Sequence, residues 1–361
     1  MRFAKPLFSL LVFILFVTGC QSATGTENAG DTNSEGETDE LTPVKVGYLP
    51  TTGHSLYYIA EEEGFFEEAG LDITLSSFNN SGEGINAVAA GQLDVGTFGT
   101  AAPLKFEEEG AEFIFFGGQM GTGAGVVAKA DQAEALKDPA NFAGKKVATV
   151  SLATGDVVWR GALAEAGLDW EEDLEIIEMQ SPADVITAVN QGEVDAGVVW
   201  VPFVEKAKQE GLEIVSYSDD YFPEHVCGRL IANPSKFEEN PDLYVGFMEA
   251  MIKAEAFLQD ENNKDSVIKD VAKYIDVDEE IIEKDLYSDY LIQTADPDKE
   301  AILAFRDTMV NIGYLEESRD VSDIINIDVY KQALDNVMEQ DTDNPYYDQL
   351  IDRYEDRNLD L

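Results

Sequence analysis

The chain predicts an α/β protein of two similar lobes, each a mainly parallel sheet flanked by helices, with a helical C-terminal extension. Two observations carry this. Ala87–Gly96 (AVAAGQLDVG) returns as Ala188–Gly197 (AVNQGEVDAG), with five of ten positions identical and Leu93 answered by Val194. The tetrapeptide AGLD precedes each copy, at Ala69–Asp72 and Ala166–Asp169, and the two spacings, 97 and 101 residues, nearly agree. One unit used twice implies two walls with a cleft between them, and clefts are where small ligands bind.

The elements follow in order. Val44–Tyr48 alternates and reads as a strand, broken by Leu49–Gly53. His54–Glu63 reads as a helix with Leu56, Ile59 and Ala60 on one face and Gly64 as its stop. Leu71–Ser76 is a second strand. Ser81 can cap a helix carrying Ile85, Val88 and Ala89 that ends at Gly91. Val95–Phe98 and Ile114–Phe116 are further strands. The second copy repeats the order. Strands are expected at Lys146–Val150, Leu174–Glu178, Ala196–Trp200 and Leu212–Ser216. Helices are expected at Asp156–Ala166, after Ser181-Pro182, and at Pro202–Gln209. Strands alternating with helices call for parallel pairing with crossover connections. From Pro241 onward helices dominate. Leu243, Phe247, Met251, Ala254 and Leu258 recur at helical spacing, and Ile281–Leu291, Ile302–Ile312 and Tyr330–Met338 continue the pattern. These helices are expected to pack on the first lobe.

The first nineteen residues stand outside this plan. Arg2 and Lys5 precede an apolar run, Leu7–Val17, that is short for a membrane span and suits a signal-peptide core. It ends in Val17-Thr18-Gly19-Cys20, which resembles a bacterial lipobox, so Cys20 is expected to carry lipid. Residues 20–42 are polar and acidic and read as a flexible tether. With Cys20 lipidated, Cys227 stands alone, and neither an intramolecular disulfide nor a four-cysteine zinc site is possible.

Acids outnumber bases 72 to 24, a formal charge of −48. Loss of residues 1–19 would remove two bases and no acid. Nucleic acid is excluded as a partner, because phosphate contacts need basic patches. The acids are spread along the chain, including the Asp341–Asp360 tail, and read as solvated surface. Such a charge suits a saline or alkaline medium outside the cell.

Residues 44–118 resemble the nitrate/sulfonate/taurine group of ABC-transporter substrate-binding proteins, which also includes thiamine-precursor binders. KVGYLP (45–50), IAEEEGFFEEAGLDI (59–73) and AVAAGQLDVGTFGTAAP (87–103) carry the likeness. AEAGLDW (164–170), AVNQGEVDAGVVWVP (188–202) and EHVCGRLIAN (224–233) extend it to the second lobe. The resemblance implies the type II periplasmic-binding-protein architecture. Lobe 1 would take residues 43–122, lobe 2 residues 123–224, and residues 225–361 would return to lobe 1. The lobes would be joined by crossings near 118–129 and 221–232 and would close by a hinge motion. It also implies an extracytoplasmic, lipid-anchored monomer. That monomer would capture a small sulfonate-, nitrate- or taurine-like solute and pass it to a membrane permease with its ATPase. A pyrimidine binder, or a sensor presenting to a membrane receptor, is the alternative.

Ligands of open sheets bind beyond the carboxyl ends of strands. That selects Thr52, Gly53, His54 and Tyr57 after the first strand, Ser81 and Gly82 after the second, and Thr97, Gly99 and Thr100 after the third. Gln119 follows the fourth, Thr154, Gly155 and Asp156 open a helix of the second lobe, and Trp200 ends a strand. Ser81, Thr154 and Gly155 lie where helix N–H groups bind anions, although such residues are also ordinary caps. His54 can donate to an anion or pack on Tyr57. Arg229 can pair with an oxyanion or brace the second crossing. Asp156 would oppose a bare anion and suit a ligand with an amino group. Residues 43–128 hold only Lys45 and Lys105 as bases, which favours a zwitterion or a polar neutral solute over a bare anion. Trp159 and Phe65-Phe66 read as core.

No cofactor or metal is expected. His225 and Cys227 are too few ligands for a metal. The chain has no Walker loop and no nucleophile elbow, and one free cysteine cannot supply the cluster of the related pyrimidine-precursor synthases. A binding protein is expected, not an enzyme. Asp94 and Asp195, equivalent in the two copies, read as structural residues of a helix-to-strand turn.

Overall fold

The computed structural model describes residues 40–316 and 320–359. The expected signal segment, Cys20 and nearly all of the tether lie outside these residues.

The first sheet is built from β1 (Thr42–Tyr48), α1 (Ser55–Glu62), α2 (Phe65–Glu68), β2 (Leu71–Ser77), α3 (Ser81–Ala89), β3 (Val95–Gly99), α4 (Ala101–Glu108) and β4 (Ile114–Gly118). The chain then crosses through β5 (Met120–Thr122) into β6 (Ala124–Ala128) and α5 (Ala130–Leu136). The second sheet adds β7 (Lys146–Val150), α6 (Thr154–Glu165), β8 (Glu175–Met179), α7 (Pro182–Gln191), β9 (Ala196–Trp200), α8 (Phe203–Gln209), β10 (Glu213–Tyr217) and α9 (Ser218–Tyr221). β11 (Gly228–Ala232) returns to the first sheet. There follow α10 (Pro234–Glu239), α11 (Pro241–Gln259), α12 (Lys264–Ala272), α13 (Glu279–Leu286), β12 (Leu291–Gln293), α14 (Lys299–Asn311), α15 (Asp328–Gln340) and α16 (Tyr346–Asn358).

The sheet orders are β2-β1-β3-β11-β4 and β10-β6-β9-β7-β8. Both are mixed, not mainly parallel. The duplicated strands pair in parallel, β1 with β2 and β3 and β7 with β8 and β9. The strand that arrives from the other sheet runs against its neighbours: β11 is antiparallel to β3 and β4, and β6 to β9 and β10. A crossing strand enters from the opposite end, and this reverses its direction.

The repeat makes one joint twice. Asp94 exchanges backbone bonds with Lys45, donating its N–H to the Lys45 carbonyl and accepting the Lys45 N–H at Oδ2, both at 2.8 Å. Asp195 does the same to Lys146, at 2.7 and 2.9 Å. A lysine then neutralises each carboxylate, Lys236 at 2.5 Å and Lys145 at 3.4 Å. The preceding Gly91 and Gly192 turn at φ of +66° and +74°, values that favour glycine. Asp94 and Asp195 thus splice the end of one helix to the start of a parallel strand.

Several boundaries differ from the periodicity. Asn80, not Ser81, caps α3, accepting the Glu83 N–H at 3.1 Å. The expected helix 281–291 stops at Leu286, and Leu291 opens β12, which pairs with β5. The acidic tail contains α16, whose Tyr347, Leu350 and Tyr354 are buried. Three apolar residues on one face suffice to hold a helix whose other face is solvated acid.

The C-terminal helices share one core with the first sheet, α11 packing on α1, α2 and α15. They also reach the second sheet, which the periodicity does not show. α14 lies on α6, where Gly161 leaves so little room that a Cβ there would sit 3.0 Å from Thr308 Cγ2. Trp170 Nε1 donates to the Ile312 carbonyl at 2.9 Å. The Arg160 guanidinium lies 4.1 Å from the Trp170 ring centre and 5.1 Å from that of Tyr314. On the other flank α13 meets α8, and Tyr290 stacks on Tyr217 at 4.4 Å.

Candidate functional site

The carboxyl ends of β1 and β3 face the start of α6 and the end of β9, and the loops there enclose a cavity of about 40 Å³. His54, Ser81 and Gly99 form one wall, and Thr154, Gly155 and Trp200 the other. The floor is Met120, Cys227 and Gly228, with Leu49, Thr51, Ala124 and Ala153 completing the lining. Two larger grooves, of about 770 and 620 Å³, lie on the C-terminal helices, away from the strand ends that converge here.

The walls touch. Thr51 Oγ1 donates to the Val201 carbonyl at 2.5 Å, and the Thr100 N–H donates to Thr154 Oγ1 at 3.0 Å. Ser81 Oγ accepts the Gly99 N–H at 3.3 Å. With Asn80 doing the capping, Ser81 is the first residue of α3 and its hydroxyl faces the other strand end. Thr154 is likewise the first residue of α6. Two helix N-termini therefore open on the cavity, each carrying partial positive charge.

His54 is buried, with Nδ1 lacking a hydrogen-bond partner, and packs edge-on to Tyr57 at 6.2 Å. Burial pushes its imidazole down to about 3, against the pull of the Leu49 carbonyl, so the ring is neutral. Burial pushes the Cys227 thiol up to about 11, so it is protonated. No lining residue carries an ionised side chain.

Of the residues singled out from sequence, His54, Ser81, Gly99, Thr154, Gly155 and Trp200 line the cavity. Tyr57, Thr97 and Gln119 lie behind it. The Tyr57 and Thr97 hydroxyls bond each other, and the Gln119 amide lies beside them. Thr52 turns away, donating to Asp285 Oδ2 at 2.8 Å. Gly53 provides the gap for Met120 Sδ, which would stand 2.0 Å from a Cβ there. Thr100 Oγ1 donates to the Cys227 carbonyl and locks the floor, and Gly82 does not reach the lining.

Two charged candidates have partners within the protein. Asp156 is fully buried and grips Arg160 Nε with both oxygens at 3.0 Å, so its carboxylate meets a guanidinium and not a ligand. A carboxylate deprived of water takes the nearest cation, here four residues along its own helix. Arg229 is also buried. It donates to the Met120 and Gly228 carbonyls at 2.8 and 2.9 Å and lies 4.0 Å from Asp298, bracing the second crossing. His225 is buried as well, its Nδ1 2.8 Å from the Val226 carbonyl, and is absent from the lining. Met120 and Cys227 are the main residues that sequence reasoning missed as lining. The Cys227 N–H donates to the Met120 carbonyl at 3.1 Å, so both sulfur side chains leave neighbouring strands of the floor. Their signal was their place on the two crossings.

The sequence profile of the NMT1-like family matches residues 37–272, well over half of the chain. The chain belongs to this family. A putative binding protein of Brucella abortus is 29% identical over 300 residues, covering 80% of this chain and 91% of its own. The formylaminopyrimidine-binding protein of Halalkalibacterium halodurans is 23% identical over 251 residues, covering 68% and 72%. The crystal structure of the periplasmic nitrate-binding protein of Synechocystis superposes with a TM-score of 0.73 at 18% identity, covering 85% of this chain and 91% of its own. This NMT1-like chain has the periplasmic-binding-protein fold. These three relatives are binding proteins.

Proposed function

We propose that this chain captures a compact solute of no net charge, with a flat apolar face and an oxygen acceptor, and hands it to an ABC permease and its ATPase. One observation supports the reading. The cavity is lined by Trp200, His54, Met120, Cys227 and two helix N-termini, and no ionised side chain reaches it. A nitrate or sulfonate would be stripped of water with no cation to meet it, and the partial charge of a helix end offsets only part of that cost. An oxygen of a neutral heterocycle suits the helix ends, and its ring suits Trp200 and Met120. A formylaminopyrimidine-like compound meets both needs, and the neutral lining supports it over the sulfonate, nitrate and taurine class expected from the resemblance.

The contacts of Thr51 with Val201 and of Thr100 with Thr154 hold the two walls together over the cavity. Entry of a solute would break these contacts. Rotation about the crossings at 118–124 and 217–228, each sheet moving as one lobe, would supply the opening.

The test is a thermal-shift screen of pyrimidines, taurine, alkanesulfonates, nitrate and bicarbonate. A ligand at about a hundred times its Kd adds about 2.7 kcal/mol, a readily measured shift. A pyrimidine is expected to raise the melting temperature. A shift with nitrate or a sulfonate and none with pyrimidines would overturn the neutral-solute reading. The anchoring part of the proposal rests on Cys20. Cys20→Ala is expected to release the protein from membranes, and continued membrane fractionation would sink the lipoprotein assignment.

A further inference from the structure

On the flank of the cleft formed by α13 and α8, two buried carboxylates from different halves of the molecule share one phenol. Asp285, at the end of α13, is fully buried, and its loop partner Thr52 follows β1 of the first sheet. Glu205, on α8 of the second sheet, is 5% exposed. Tyr290 Oη stands 2.9 Å from Asp285 Oδ1 and 3.4 Å from Glu205 Oε1. Its ring stacks on Tyr217 of β10.

A tyrosine hydroxyl has one hydrogen to donate, so Tyr290 can give it to Asp285 or across the boundary to Glu205, whose Oε1 also accepts from Lys208 Nζ at 2.5 Å, but not to both. With a proton on Asp285 the chain is complete: Asp285 donates to the Tyr290 oxygen, and Tyr290 donates to Glu205. Without that proton Tyr290 donates to Asp285 instead, Glu205 keeps only Lys208, and the bond across the boundary is lost. We propose that Asp285 is a proton-binding site that couples the two sheets, holding them together more firmly when it is protonated.

The other groups facing Asp285 leave this balance in place. Thr52 donates to Oδ2 in either state of charge. Lys208 on α8 is engaged by Glu205 at 2.5 Å, and Lys284, the neighbour of Asp285 on α13, is paired with Glu280 at 2.7 Å. Tyr217 holds its proton, its acidity suppressed by burial. Burial pushes the Asp285 carboxyl up to about 7, with Glu205 adding to the rise and the hydroxyls of Thr52 and Tyr290 and the charge of Lys208 opposing it.

The sign follows from linkage. Separation of the sheets would expose Asp285 to water and return it toward the ordinary aspartate value near 4. The closed form therefore binds the proton more tightly. It is favoured below pH 4, loses ground as pH rises to about 7, and is unchanged by this group above that. Each unit of difference between the two values moves the closed-to-open ratio about tenfold.

Small-angle scattering of the whole mature protein tests the coupling without any solute, so its failure would leave the import reading standing. Sodium chloride at 0.5 M throughout would mute the general repulsion of an acidic chain. The radius of gyration is expected to be smaller at pH 5 than at pH 8. Asp285→Asn carries a permanent donor toward Tyr290 and is expected to stay compact at both. Glu205→Gln removes the second charge and is expected to flatten the response as well, and it carries the test if Asp285→Asn does not fold. Glu255→Gln, a buried carboxyl away from this boundary, should keep the wild-type response. A wild-type radius independent of pH, or wild-type behaviour in both Asp285→Asn and Glu205→Gln, would overturn the proposal.

Discussion

Tyr314 Oη donates to Asp156 Oδ2 at 3.1 Å, and the two residues come from different halves of the molecule. Asp156 is in the first turn of α6, beside the cavity-lining Thr154 and Gly155. Tyr314 follows α14, which packs with the first sheet. The bond joins a buried ion pair, Asp156 with Arg160, whose guanidinium is sandwiched by Trp170 and Tyr314. The start of α6, one wall of the cavity, is thus positioned from the C-terminal segment.

Tyr314→Phe keeps the ring against Arg160 and loses one charge-assisted bond, so it should cost about 1.5–3 kcal/mol. Asp156→Ala leaves Arg160 buried without its partner and should cost more, about 3–5 kcal/mol. Urea unfolding of both variants at pH 7 checks the order. Equal costs would mean that the ion pair contributes nothing beyond the phenol bond.

A different outcome is expected on the cavity itself. Trp200 is half-buried and ends β9, so Trp200→Ala should leave the fold nearly intact while weakening a bound solute by 2 kcal/mol or more, as large aromatic contacts do. Thr154→Ala removes one of two acceptors of the Thr100 N–H, which keeps the Cys227 carbonyl at 2.9 Å, so it should lower affinity with little loss of stability. Calorimetry with whichever compound shifts the melting temperature gives the affinities. If neither variant weakens binding, the solute sits elsewhere.

The duplicated joint was legible in sequence because it is local. A helix stop, an Asp and a small residue recur within ten positions, and the structure uses them identically at Asp94 and Asp195. The strand ends that converge on the cavity followed from the same reading, since alternation places them. What was hidden depends on partners far along the chain. Asp156 has Arg160 four residues along its own helix, but its burial cannot be read from a helix start, and Tyr314 lies 158 residues away. Met120 and Cys227 lie on antiparallel crossings, where no repeat marks them. α16 was masked by its acids, which outnumber the apolar residues of its single buried face.

Acid should separate two classes of buried group. Burial holds the His54 and His225 imidazoles down to about 3 and about 4. The unfolded chain then takes up these protons near pH 6.5 while the folded chain refuses them. This stabilising term is complete above pH 6.5 and is lost as pH falls toward 3, by up to about 1.4 kcal/mol per pH unit for each imidazole. Glu255 runs the other way. Burial pushes its carboxyl up to about 7, so the folded form gains stability from it as pH falls from 7 to 4.5. Compared with wild type, His54→Gln should therefore become relatively more stable on acidification, and Glu255→Gln relatively less. Urea midpoints at pH 7, 6 and 5 measure both gaps. Gaps that stay constant with pH would mean that neither group is ionised differently in the folded and unfolded chains.

Salt should stabilise this protein. Its 72 acids and 24 bases leave a formal charge of −48. Screening works against the surface ion pairs, but those are worth little individually, about 1 kcal/mol or less. The excess acids repel one another at every separation up to the screening length, which shrinks from about 10 Å at 0.1 M salt to about 3 Å at 1 M. Relief of that repulsion should outweigh the lost pairs. Melting temperature is expected to rise by several degrees between 0.05 and 1 M sodium chloride, and equally in potassium chloride. Chloride salts are the right choice, because sulfate would raise stability by surface exclusion alone. A flat or falling curve would mean that the acids are far enough apart in the fold to be screened already at low salt.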